Sequence, residues 1–210
     1  MNYVDLYCER LGAELLAEPV NAATNAAFLI AGVALWRFAR RTGALTTEYR
    51  LLIAIIMTIG IGSGLFHTYA TQWARVLDVM PILLFQLLFA WIYSRQGLGW
   101  RRTSAGLLVV GILTAALIGR SFPDLLNGSL TYAPALGLLV VLGVHHWLSH
   151  QPRPLLLLAA ASVFSISLVF RTQDAAVCDW FPLGTHFLWH LCNAFVLYLC
   201  VRTLIEMRRF

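Results

Sequence analysis

Apolar residues fill this chain in blocks of bilayer length, separated by short polar punctuation. The pattern predicts a series of membrane-crossing helices. Seven blocks reach the required length, at about 20–40, 49–70, 75–95, 104–120, 131–149, 154–170 and 184–204, the fourth and sixth being the shortest. The breaks carry turn chemistry: RRTG at 40–43, RQGLG at 95–99, FPDLLNGS at 122–129 and QPRP at 151–154. No internal repeat or low-complexity segment interrupts them. Residues 1–210 therefore read as one domain, with 1–19 as an acidic segment ahead of the first span.

Composition sharpens this reading. Of 210 residues, 60% are hydrophobic and 12% are charged, where a soluble domain carries roughly 25% charged residues. Mean hydropathy is +0.74. The fold class is an all-α membrane protein, a seven-transmembrane helix bundle. The start, MNYVDLYCER, is polar and acidic and lacks the basic, then apolar, order of a signal peptide. The net charge of +5 does not mark a nucleic-acid binder, because the arginines punctuate helix ends instead of forming a patch. Nothing in the sequence calls for an obligatory protein partner. Lysine is absent and all fifteen basic residues are arginine, which with the abundant Ala and Leu points to a GC-rich bacterial genome.

Arginine placement orients the bundle. With the N-terminus outside, the inner segments hold Arg37, Arg40, Arg41, Arg50, Arg95, Arg101, Arg102, Arg153, Arg202, Arg208 and Arg209, and the outer ones only Arg10, Arg75, Arg120 and Arg171. The expectation is an external N-terminus and a cytoplasmic C-terminus, in an inner (plasma) membrane if the source is bacterial.

That topology gathers the polar residues with chemical potential at one end. His186 and His190, in GTHFLWHLCN, are four apart and so share a helix face. Two imidazoles on one face can reach a single metal ion. Ser63 and His67 fall at the outer end of the second span, and Asp78 near the outer start of the third. Taken alone, the histidine pair could be satisfied by local hydrogen bonds. Ser63 could be a packing residue in the GIGSG run, and Asp78 a helix-start acid. Together, five such residues from three spans at one depth describe a site, because ionisable groups inside a membrane are costly. Three neutral imidazoles with an open fourth position suit catalytic zinc, which lowers the pKa of water to about 7. Asp78 would then take a proton or orient a ligand, and Ser63 would donate to a carbonyl oxygen.

The combination Gly62-Ser63-x-x-Phe66-His67, Asp78-x-x-Pro81 and His186-x-x-Trp189-His190 resembles the alkaline ceramidase family, within a wider superfamily of seven-span membrane hydrolases that includes adiponectin-receptor-like proteins. Tyr7-Cys8-Glu9 followed by Glu18-Pro19-x-Asn21-x-x-x-Asn25 is similar to that family's N-terminal segment. Spans four to six match only in hydropathy. The resemblance implies Zn2+ on His67, His186 and His190, Asp78 as base, and Ser63 assisting at the carbonyl. The implied substrate is a lipid entering from the membrane, whose amide is hydrolysed to a fatty acid and a long-chain amine. It also implies Ca2+ on Asp5, Glu9 and Glu18 with Asn21, although Asp5 is one residue out of place and Arg10 adds a positive charge. An acidic surface segment is the alternative there.

Cys8 and Cys178 both fall in outer segments, where an oxidising compartment permits a disulfide, with two free thiols as the alternative. Cys192 and Cys200 lie inside the last span as packing residues. The HHWLSH cluster, His145, His146 and His150 beside Trp147, sits at the opposite end and reads as interfacial. Two function classes remain open: a zinc amidase acting on ceramide or a ceramide-like N-acyl lipid, and a non-catalytic seven-span lipid receptor with a structural metal. An open fourth ligand position beside an acid favours the first.

Overall fold

The computed structural model describes residues 3–208, and among them every regular element is helical. The first span is a short α1, Pro19–Thr24, running into α2, Ala26–Arg41. It is followed by α3, Thr47–Tyr69; α4, Gln72–Gln96; and α5, Arg102–Arg120. A 3₁₀ stretch, Leu125–Tyr132, leads into α6, Ala133–Leu148, and the bundle closes with α7, Leu156–Val177, and α8, His186–Met207. Seven spans are long and apolar enough to cross a membrane. Arg209, counted in the arginine bias, lies outside the described residues.

Local chemistry sets the helix ends that matter. Pro19 opens α1, where a missing N–H costs nothing. The Glu9 carboxylate accepts from Val20 N at 2.7 Å and Asn21 N at 2.8 Å, so the N-terminal segment caps this helix. Thr46 caps α3 by accepting from Tyr49 N. At its other end α3 stops at Ala70, held at φ 48°, and α4 begins two residues later. So short a link makes the two helices antiparallel neighbours, which brings the end of α3 beside the start of α4. Val4 N donates to Ala70 O at 2.7 Å, pinning the N-terminal segment over this turn.

The approach of α3 to α4 depends on two residues. Pro81, inside α4, has no N–H to offer the carbonyl of Leu77. Gly62 of α3 faces that carbonyl so closely that a Cβ there would lie 2.1 Å from Leu77 O and 3.3 Å from Asp78 N. Of the seven spans, α3 and α8 are the most enclosed by protein. The core between them is built of Leu35, Ile56, Leu204 and their neighbours. At the far end Tyr49 donates to Leu204 O at 2.9 Å, tying α3 to α8.

The helices differ from the expected spans at two places. The sixth was expected to stop at 170, but α7 runs to Val177. Arg171, Thr172 and Asp174 look like loop residues on hydropathy. Each has a partner: Arg171 donates to Asn127 O and Ser129 Oγ, Thr172 to Ser129 Oγ, and Asp174 accepts from three backbone amides. The fifth span starts at Leu125 instead of about 131, through the 3₁₀ stretch. His146, expected at an interface, is buried, with Nδ1 2.9 Å from the Tyr93 hydroxyl and Nε2 3.0 Å from Pro152 O. The polar group that hydropathy assigns to headgroups is satisfied inside the protein.

Replacing Gly62 with Ala should push α3 and α4 apart at Asp78. The expected result is a loss of about 1–3 kcal/mol of stability, read as a lower Tm in detergent.

Candidate metal centre

His67 near the end of α3 and His186 and His190 on the first turns of α8 meet at one end of the bundle. Their ring centroids are 4.8 Å apart for His67 and His190, 5.2 Å for His67 and His186, and 4.6 Å for His186 and His190. All three are at most 2% exposed. One nitrogen atom from each can be chosen so that all three lie within 4.8 Å of one another. Among the described residues this is the one His/Cys/Asp/Glu group able to hold a metal ion, and it contains three residues.

The hydrogen bonds around the rings fix their tautomers. His67 Nδ1 is 2.5 Å from Glu18 Oε2 and donates to it. His190 Nδ1 is 3.0 Å from Thr24 Oγ1, whose own proton goes to Val20 O or Asn21 O, so the imidazole is the donor. Both rings therefore present Nε2 with its lone pair, and these atoms are buried with no hydrogen-bond partner, as is His186 Nδ1. A buried nitrogen without a partner is costly. Three at one point could hold a metal ion, and the donor set suits one. Outer partners that hold Nδ1–H are the usual means of orienting ligand imidazoles.

His186 is placed by Asp174. This acid, fully buried on α7, accepts from Cys8 N at 3.1 Å, Thr185 N at 2.6 Å and His186 N at 2.8 Å, capping α8 at the ligand itself. Gly184 makes the approach feasible: at φ +63° it turns against Asp174, and a Cβ would lie 2.2 Å from Oδ1. Tyr7 stacks on the His186 ring at 3.6 Å and 19°. Burial pushes the Tyr7 phenol well above its ordinary pKa, so it stays protonated. Cys8 and Cys178 are disulfide-bonded, joining this segment to the end of α7.

Asp78 lies outside the histidine group but lines the same chamber of about 50 Å³, with Tyr7, Phe66, His186, Trp189 and His190. Its carboxyl interacts with the Ser63 side chain and with the charges of Arg171 and Arg75. Ser63 is 3% exposed. The structure thus brings Ser63, His67, Asp78, His186 and His190 together.

The acids of the N-terminal segment do not form the expected calcium set. Asp5 is exposed, Glu9 caps α1, and Glu18 serves His67. Asn21 Nδ2 donates to Glu18 Oε2 at 3.1 Å. A cation already sits among these oxygens: Arg10, 4% exposed, pairs with Glu18 at 2.5 Å and donates to the carbonyls of Gly12, Glu14 and His67. Burial alone would raise the Glu18 pKa, but the bonds from His67 and Arg10 outweigh it and hold the carboxyl below its ordinary range.

The ceramidase family profile matches residues 6–209. The chain belongs to the ceramidase family. Membership implies a hydrolase with a lipid substrate, held in a multi-pass membrane bundle with a buried histidine triad able to bind metal. A search of curated proteins gave no match.

Sequence reasoning missed Asp174, Thr24 and the role of Arg10. Asp174 lay beyond the expected end of its span, and an acid four residues before Cys178 was the available signal. Thr24 carries none, because hydroxyls commonly bond back to their own helix. Two outcomes are expected. Glu18→Gln should weaken metal affinity about 10–100-fold, read by chelator competition. Asp174→Ala should leave three amides without an acceptor and lower Tm more than Gly62→Ala does.

Proposed function

We propose that this protein is a membrane-embedded, zinc-dependent amidase that hydrolyses the amide bond of ceramide or a ceramide-like N-acyl lipid to a fatty acid and a long-chain amine. The observation that carries the reading is the set of three buried, unpartnered imidazole nitrogens at one point, beside a carboxyl in the same chamber. A structural metal would want a fourth protein ligand, and among the described residues the group stops at three. This favours the enzyme over a lipid receptor with a structural metal.

His67, His186 and His190 would hold the ion, with Glu18, Thr24 and Asp174 keeping them in position. When bound, zinc would supply carbonyl polarisation and a water acidified to a pKa of about 7. Asp78 takes the proton as water adds to the amide carbon, and passes it to the nitrogen as the C–N bond breaks. Ser63 donates a hydrogen bond toward the carbonyl oxygen, where negative charge develops. Tyr7, protonated and stacked on His186, holds that ring and walls the chamber.

The hydrocarbon also has a place. An apolar slot of about 60 Å³, lined by Phe28, Ile59, Phe85, Phe89, Leu139 and Phe164 among others, shares Ile82, Tyr132 and Trp189 with the chamber. A chain lying there would keep the amide at the histidines. The arginine bias supports a chamber facing the outer leaflet.

Fatty-acid release from a long-chain ceramide, measured beside metal content, tests the reading. His190→Ala should retain its helical circular dichroism, lose its zinc, and release fatty acid at least about 100-fold more slowly than the parent. Equal release by both proteins would overturn it.

A further inference from the structure

Four arginines lie at the histidine end of the bundle, and only Arg10 is used up, in its pair with Glu18. The other three, Arg75 of α4, Arg120 of α5 and Arg171 of α7, line a single cleft of about 320 Å³. This is far larger than the histidine chamber, at about 50 Å³, or the apolar slot, at about 60 Å³. The cleft is continuous with the chamber, since Arg75, Val79, Ile82, Tyr132 and Arg171 line both. It meets the apolar slot at Ile82, Gln86 and Tyr132.

Three cations face one acid: the Asp78 carboxyl in the adjoining chamber interacts with the charges of Arg75 and Arg171 and offsets one of the three. Among the described residues the ion pairs are Arg10–Glu18, His67–Glu18 and Arg202–Glu206, and none involves the cleft. The cleft lining holds no carboxylate, and the chamber lining holds only Asp78. Arg171 is fixed in place: its guanidinium lies 5.3 Å from the Tyr132 ring centroid and 5.8 Å from that of Trp189, and Nη1 donates to Asn127 O and Ser129 Oγ. A guanidinium offers five donors in a rigid fork, more than these contacts use. The loop presenting Asn127 is itself strained, with Leu126 and Asn127 at φ 53° and 51°. Strain of this kind collects at functional sites. A neutral lipid would leave this end of the cleft with three positive charges against the single carboxylate of Asp78.

We infer that the lipid this site hydrolyses carries an anionic group, a carboxylate, phosphate or sulfonate, on the amine side of its amide, bound by Arg75, Arg120 and Arg171. The inference rests on the amidase reading above. The acyl side is hydrocarbon by definition and has the apolar slot available to it. The anion therefore belongs to the amine part, within a few bonds of the nitrogen, because Arg75 and Arg171 line the chamber as well as the cleft.

The test compares two probes with the same hydrocarbon, ceramide and ceramide 1-phosphate, in neutral detergent micelles with the purified zinc-loaded protein. Expected is a kcat/KM for the phosphate ester at least tenfold above that for ceramide, with the advantage shrinking as salt is raised. Arg120→Gln, in the cleft but outside the chamber, should bring the ratio close to one, while Arg153→Gln at the other end of the bundle should not. Equal or better turnover of ceramide by the parent, or a ratio that survives Arg120→Gln, would overturn the inference. Palmitate inhibition that weakens in Arg120→Gln without any substrate preference would overturn it too, assigning the cleft to the product carboxylate. Should neither probe be cleaved, tryptophan fluorescence titration separates the two ideas. Tenfold tighter binding of the phosphate ester, lost in Arg120→Gln, sinks the amidase reading and keeps the anion site, and no such difference sinks both.

Discussion

A carboxylate buried where no water can solvate it holds this end of the protein together. Glu18 is 1% exposed and is tolerated because each of its oxygens has a strong donor, Arg10 on one and His67 on the other, with Asn21 adding a third bond. The same three bonds set the tautomer of His67 and the path of the N-terminal segment. Removing one partner from such a pair typically costs about 3–5 kcal/mol, because the other charge is left behind unpaired. The geometry of the histidine triad and the stability of the fold therefore depend on the same bonds.

The neighbouring acid works by a different rule. Among the described residues Asp174 forms no ion pair; it is stabilised by amide dipoles at the start of α8 and on Cys8. A negative charge at a helix N-terminus is favourable in itself, and this one is spent at the residue that must present a lone pair. Glu18 acts on a histidine side chain and Asp174 on a histidine backbone, so the triad is held from both directions. Thr24 completes the set at His190 without any charge.

The bundle and the triad were legible in the sequence because both rest on periodicity. Apolar length marks spans, i,i+4 spacing puts His186 and His190 on one face, and the alternation of spans brings His67 to the same end. The resemblance carried by Ser63, His67, Asp78, His186 and His190 pointed to the family that the profile then matched. What could not be read depends on pairing across the chain. Asp174 reads as a loop acid until α8 folds back onto it. Glu18 reads as a cation ligand until Arg10 is seen to supply the cation. His146 reads as interfacial until Tyr93 and Pro152 close around it. Hydropathy scores a residue by its cost in lipid, and a polar residue that has found a protein partner no longer incurs that cost. The topology rule shares the limit: it counted Arg10, Arg75, Arg120 and Arg171 as the minority that fixes orientation, though Arg10 bonds the backbone of His67, Arg75 and Arg171 line the chamber, and Arg120 lines the adjoining cleft.

The covalent link between Cys8 and Cys178 spans 170 residues, and this has a consequence for how the protein is made. At roughly 5–20 residues per second of synthesis, the first thiol emerges about 10–30 s before its partner exists. For most of that interval His67 has been made, with neither its two fellow histidines nor the acid that caps their helix. The histidine triad cannot form until the final helix has been made, so a chain that stops early lacks it. Formation of the site is coupled to completion of the chain.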